Sequence, residues 1–321
     1  MERRLLLSLA TTLAWAPLLA RADNWPAKPV RMVVPFPPGG PADLLGRLAG
    51  QAISAGIGQP VVVENRAGAA GNIGVDALAK AAPDGYTLAV VPVGNVAVNP
   101  SLFANLPYKA SDLAPVALLA TVENVLVVNA ALPVANLQDL ISLARKKPDS
   151  ISFASPGAGS QAHLAGELMA LRANVKLLHV PYKGVGPALT DVVGGQVSVM
   201  FAQASAAMPF IREGKLKAIG LASLRRSSAL PQVPTIAEQG LPGFQAVSWY
   251  AVMAPAGTPR PIVDKLNEQM NRMLAKAETR EQFVALGMEP GSGTPEQLAQ
   301  RITSETAQWS EVVRKRNLQV D

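Results

Sequence analysis

The chain has 321 residues, 49% hydrophobic and 16% charged, with a formal net charge of +6 and no cysteine. That composition supplies enough apolar material for sizeable cores and too little charge for a disordered chain, and the length suggests two domains. Disulfides, thiolate metal sites and a cysteine nucleophile are excluded. Aromatic residues make up only 5%, and the basic residues are scattered in short runs such as Arg145-Lys146-Lys147 and Arg225-Arg226. The charge therefore reads as solvated helix ends, and no nucleic-acid partner is expected.

The first segment, MERRLLLSLATTLAWAPLLARA, has a basic start at Arg3 and Arg4, an apolar run from Leu5 to Ala20, and small residues around a cleavage site at Ala20-Arg21-Ala22. It reads as a secretory signal peptide over residues 1–22. The apolar run falls short of the roughly 20 residues that span a bilayer, and Pro17 interrupts it. The mature chain is expected to begin at Asp23, in an exported compartment. Three arginines and Glu2 leave with the leader, which reduces the charge to +4.

Apolar strands then alternate with amphipathic helices, the signature of a parallel α/β sheet. The spacing predicts strands over 30–36, 60–64 and 86–91, with helices over 44–53 and 75–81. A second series opens near Leu118: helix 137–146, strand 151–154, helix 161–172, strand 175–181, helix 185–193, and strands 197–201 and 216–222. SWYAVMAP then gives one more strand, followed by a long helix with Thr258 as its cap and Pro259 and Pro261 in its first turn. The pattern alone fits two lobes and one continuous sheet equally well.

Between the first strand and helix lies PFPPGGPAD, Pro35 to Asp43. A glycine turn lets backbone approach a ligand, and a following helix aims unpaired N–H groups at the same spot. With Pro41 at the first helical position, the amides of Gly39 and Gly40 are expected at the open end of an anion seat. The plain alternative is a connecting loop in which Asp43 caps the first turn. SPGAGSQAHLAGEL repeats the design, with Gly157 and Gly159 turning the chain and Ser160 at the cap.

GAGSQA also fits the dinucleotide pattern G-x-G-x-x-A, but the next strand ends in Tyr182-Lys183 where an acidic residue should hold the ribose. No phosphate loop, zinc motif or nucleophile elbow is present, so no cofactor is expected. The two histidines, His163 and His179, are too few for a metal site. Glu167 stands four residues after His163 and could pair with it for acid–base work, although such pairs are common on exposed helices.

Six stretches in order, NWPAKPVRMVVPFPPGGPAD, GQPVVVENRAGAAGNIG, AKAAPDGYTL, FASPGAGSQAHLAGEL, VPYKGVGPALTDVVGGQVSVMF and REGKLKAIGLAS, resemble the solute receptors of tripartite tricarboxylate transporters, the Bordetella uptake type. The resemblance covers nearly the whole mature chain. It implies a type II periplasmic-binding-protein fold: α/β lobes over 23–122 and 123–245, with 246–321 returning to the first. It also implies a monomeric receptor, not an enzyme, that closes over a small carboxylate and delivers it to integral membrane permease subunits. A ligand sensor feeding a two-component kinase and a periplasmic hydrolase or isomerase are the alternatives.

Matched residue by residue, the resemblance places Phe36, Pro38, Gly39 and Gly40 in one ligand loop, with Asp43 beside them. Ser155, Gly157, Gly159 and Ser160 form the facing loop, with His163 beside them. Tyr182 and Lys183 stand at a strand end, and Gly94 and Asn95 follow the third strand. Two departures bear on the ligand. Ala42 stands where many relatives have threonine, and Ala202, followed by Gln203, stands where many have aspartate.

Overall fold

A computed structural model describes residues 25–148, 150–182, 184–227 and 229–319. The expected leader and Lys183 lie outside them. The chain opens with β1 (Val30–Val34), α1 (Pro41–Ile57), β2 (Val61–Asn65), α2 (Asn72–Ala79) and β3 (Thr87–Pro92). β1 pairs in parallel with β2 and β3. Pro41 occupies the first turn of α1, as expected, and Leu45, Ala49 and Ile53 turn one buried face to the sheet. At Gly46 that face touches the sheet so closely that a Cβ would stand 2.5 Å from Val34 Cγ2. After β3 come a π turn, Gly94–Val98, the single turn α3 (Asn99–Leu102), and β4 (Leu113–Val122).

A single residue, Glu123, then carries the chain into a different sheet at β5 (Asn124–Asn129). That sheet is built with α4 (Leu137–Lys146), β6 (Ser152–Ser155), α5 (Gln161–Ala173), β7 (Leu178–Pro181), α6 (Val185–Val193), β8 (Val199–Gln203), α7 (Ala204–Arg212) and β9 (Leu216–Leu221). The chain returns to the first sheet through β10 (Ser248–Pro255), followed by α8 (Arg260–Ala275), α9 (Ala277–Ala285), β11 (Met288–Pro290) and α10 (Pro295–Arg316). The strand orders are β11-β4-β10-β3-β1-β2 and β7-β6-β8-β5-β9.

The sheets are mixed, not purely parallel. β5 runs antiparallel to β8 and β9, and β10 antiparallel to β3 and β4. The reason is topological. β1, β3, β6 and β8 deliver their carboxyl ends to the space between the sheets, whereas β5 and β10 enter their sheets from that same space and run outward. Hydrogen bonds tie the two crossings together: Asn124 Nδ2 donates to Ala246 O at 2.8 Å, and Ala222 N to Asn124 O at 2.9 Å. Thr258 is not the cap of α8. Its hydroxyl donates to Pro255 O at 2.7 Å, and Pro259 takes the cap position.

α10 packs across the structure. Its Trp309 is buried, and Glu305 accepts from the indole N–H of Trp249 in β10 with both carboxylate oxygens at 3.0 Å. Arg301 donates to Glu305 at 2.8 Å and lies 5.4 Å over the Trp249 ring.

Candidate functional site

A cavity of about 490 Å³ lies between the sheets, within the size range of small-molecule sites. Phe36 and the segment Pro92–Asn95 line it from the first lobe, and Gly159–Ala162, Met200, Phe201 and Gln203 from the second. Asn124, Ser248, Trp249 and Tyr250, the heads of the two crossing strands, form its floor.

The first loop differs from expectation. Gly39 does turn the chain, with φ 89°, but its amide donates to Asp43 Oδ2 at 3.0 Å. Asp43 is buried and also accepts from Arg47 at 3.0 and 3.1 Å and from Asn65 at 2.9 Å. The anion seat is therefore filled by the chain's own carboxylate. Pro38, Gly39, Gly40 and Asp43 stand outside the cavity wall, and Phe36 is the residue of this loop that reaches it. The Arg47 guanidinium, followed by the Gly39 amide, holds the Asp43 carboxyl at about 2 against the opposing effect of burial.

A carboxyl depressed in the folded state adds stability that is complete above its ordinary value near 4 and lost as pH falls toward 2. Asp43→Asn should therefore lower stability by about 1–3 kcal/mol at pH 7, the scale of a hydrogen bond to a charged group. It should also flatten the decline between pH 4 and 2. Urea unfolding at a series of pH values checks both.

In the facing loop the glycine amides are occupied as well. Gly157 N donates to Ser155 Oγ at 3.2 Å and Gly159 N to His163 Nδ1 at 3.0 Å. Ser160 caps α5 as expected, its Oγ accepting from His163 N at 3.3 Å. Gln161 and Ala162, the first two helical residues, have no carbonyl one turn back within the helix to accept from their amides, and both residues line the cavity. The expectation had placed such amides at Gly157 and Gly159.

Ser155 and His163 are buried behind the loop and do not line the cavity. Tyr182 is turned away to α6. Its hydroxyl bonds Asp191 at 2.5 Å, and that carboxylate raises the phenol to about 12. Of the second-lobe candidates, Gly159, Ser160 and Gln203 line the cavity.

Gly94 and Asn95 line it too, through the π turn. Asn95 is fixed by Nδ2 bonds to Ala70 O at 3.1 Å and Asn72 Oδ1 at 2.9 Å. Asn72 Oδ1 also accepts from Asn99 at 2.7 Å and Tyr108 at 2.9 Å. Gly71, with φ 91°, lets this network meet Phe36; a Cβ there would lie 3.0 Å from the ring and 3.1 Å from Asn95 Oδ1.

The floor was missed by sequence reasoning: Asn124, Ser248, Trp249 and Tyr250 sit on no glycine turn. The available signal was a polar residue at the head of each apolar strand, Asn124 before VLVV and Ser248 before WYAVMA. Burial pushes the Tyr250 phenol up to about 12, so it is a neutral hydroxyl at ordinary pH. The polar groups that line the wall among the described residues are backbone amides, hydroxyls and side-chain amides, a set suited to a compact anion with a carbon body.

The family described as tripartite tricarboxylate transporter family receptor matches residues 45–318. Protein BugT of Bordetella pertussis is 43% identical, over 97% of this chain and 97% of its own. Among solved structures, R. palustris Rpa4515 with adipate is 35% identical with a TM-score of 0.76, covering 92% of this chain and all of the other. MatC from Rhodopseudomonas palustris with bound malate is 37% identical with a TM-score of 0.72, covering 90% of this chain and all of the other. From its sequence through its two-sheet architecture, the chain belongs to the tripartite tricarboxylate transporter receptor family.

Proposed function

We propose that the protein captures a small carboxylate in the periplasm and hands it unchanged to the membrane subunits of a tripartite tricarboxylate transporter. The observation that supports this most is the free amino-terminal end of α5 opening on a cavity between two sheets. The adipate and malate bound by the relatives agree with it. The carboxylate accepts from the Gln161 and Ala162 amides and the Ser160 hydroxyl, each bond contributing about 1.5–3 kcal/mol and the helix end about 0.3–1 more. Those contributions approach the roughly 8 kcal/mol of micromolar binding once apolar contacts are added and ordering costs deducted. Phe36, Val93, Met200 and Phe201 cover the carbon body, while Tyr250, Asn95 and Gln203 orient its far end. The lobes, divided at Glu123 and at the approach to Ser248, close about these crossings.

A hydrolase reading has little support in the site. The Ser155 Oγ to His179 Nε2 contact of 2.7 Å resembles a nucleophile–base pair, but Ser155 has no exposed surface and lies beneath the loop. Isothermal titration against adipate, malate and their neutral diamides is expected to give micromolar binding of an acid, none of an amide, and no product. A hundredfold excess over the dissociation constant should add about 2.7 kcal/mol to stability. Absence of binding across a wider acid panel, or consumption of the acid, would overturn the proposal.

A further inference from the structure

The loop Ser155–Ser160 rests on two stacked imidazoles. His163 and His179 lie face to face with ring centres 3.8 Å apart and planes 12° from parallel, and the Phe153 ring lies 4.9 Å from His179. Each histidine serves one glycine of the loop. His163 Nδ1 accepts the Gly159 amide at 3.0 Å. His179 Nε2 meets Ser155 Oγ at 2.7 Å, and that oxygen accepts the Gly157 amide at 3.2 Å.

A ring nitrogen that accepts a hydrogen bond carries no proton, so the Gly159 contact requires a neutral His163 protonated at Nε2. That Nε2 stands 3.7 Å from Glu167 Oε1, and the other Glu167 oxygen accepts from Arg316 in the last turn of α10. Burial raises the Glu167 carboxyl, but its interactions with His163 and Arg316 outweigh it and hold the group below its ordinary value, as a carboxylate. Polar contacts thus run from the cavity lip through α5 to the end of α10, with the 3.7 Å approach of His163 to Glu167 as their longest step.

Resting on the receptor reading above, we propose that His163 is a positioning residue: its unprotonated Nδ1 fixes the Gly159 turn so that the Gln161 and Ala162 amides face the acid, and Glu167 with Arg316 ties that turn to the C-terminal helix. The charged and titratable groups facing His163 are Glu167 from its own helix, His179 from β7 and, through Glu167, Arg316 from α10. Burial, then the neighbouring His163, pushes His179 down to about 4.

The chain has two histidines, so ¹⁵N-histidine labelling of the unaltered protein displays two rings. The expected spectrum shows one ring with an unprotonated, hydrogen-bonded Nδ1 and a protonated Nε2; an Nδ1–H tautomer at His163 would overturn the proposal. Adipate is then titrated calorimetrically into variants. His163→Gln, whose polar end stands near the place of Nε2, should bind about tenfold more weakly. His163→Asn, whose Oδ1 can take the place of Nδ1, should recover most of that loss. Equal losses in both variants would count decisively against it. Failure of the unaltered protein to bind adipate bears on the receptor reading alone, because the ring spectrum needs no ligand.

Discussion

Gln161→Pro is expected to weaken acid binding by about 10- to 100-fold while leaving the fold intact. Gln161 is the first residue of α5, where proline's fixed φ suits the helix and its missing N–H breaks no helical bond. The preceding Ser160 has φ −67° and ψ 157°, the extended conformation that a residue before proline prefers. The substitution therefore removes one amide proton aimed at the ligand and little else. A bond from that proton to a carboxylate contributes about 1.5–3 kcal/mol, and each 1.4 kcal/mol is tenfold in affinity. The Gln161 side chain makes only a 3.4 Å contact to Val247 O, so Gln161→Ala, which keeps the amide, should bind within about threefold of the unaltered protein. Calorimetry with thermal melts of both variants checks the pair. Equal losses in the two would show that the helix end is not where the acid sits.

Trp249→Ala should have the largest effect on stability. The indole is fully buried at the meeting of β10, the cavity floor and α10, and its N–H serves both oxygens of Glu305. Truncating a buried aromatic costs about 3–5 kcal/mol, and the buried Glu305 carboxylate loses a donor, worth about 1–3 more. The expected total is about 4–8 kcal/mol, or a melting temperature lower by roughly 10 °C. Trp249→Phe keeps most of the ring and loses the donor, so it should show the smaller share alone. Urea unfolding followed by circular dichroism separates the two. A change below about 1 kcal/mol for the alanine variant would mean that α10 is not fastened through this residue.

Much of this architecture was legible in the sequence because periodicity reports local structure. α4 and α6 fall where the spacing places them, and the other elements shared by both readings lie within a few residues of it. Pro41 and Ser160 announce two helix starts through conformational preferences that no distant contact overrides. The direction of β5 and β10 was not legible, since an apolar strand reads alike whichever way it enters a sheet. Nor was the fate of the glycine amides. Whether Gly39 and Gly159 offer their N–H groups to a ligand depends on Asp43 and His163, each four residues on, and residue identity does not reveal which of two competing acceptors wins. Tyr250 and Trp249 escaped for a related reason, because their place in the cavity exists only once the chain has crossed between sheets twice.

The carboxylate of Asp43, held against Gly39, has a bearing on selectivity. On the receptor reading proposed above, sulfate or phosphate would find the Gly39 amide already taken. On that same reading, an acid's charge would be met by the helix end of the second lobe, while the first adds the ring of Phe36 and the fixed amide of Asn95.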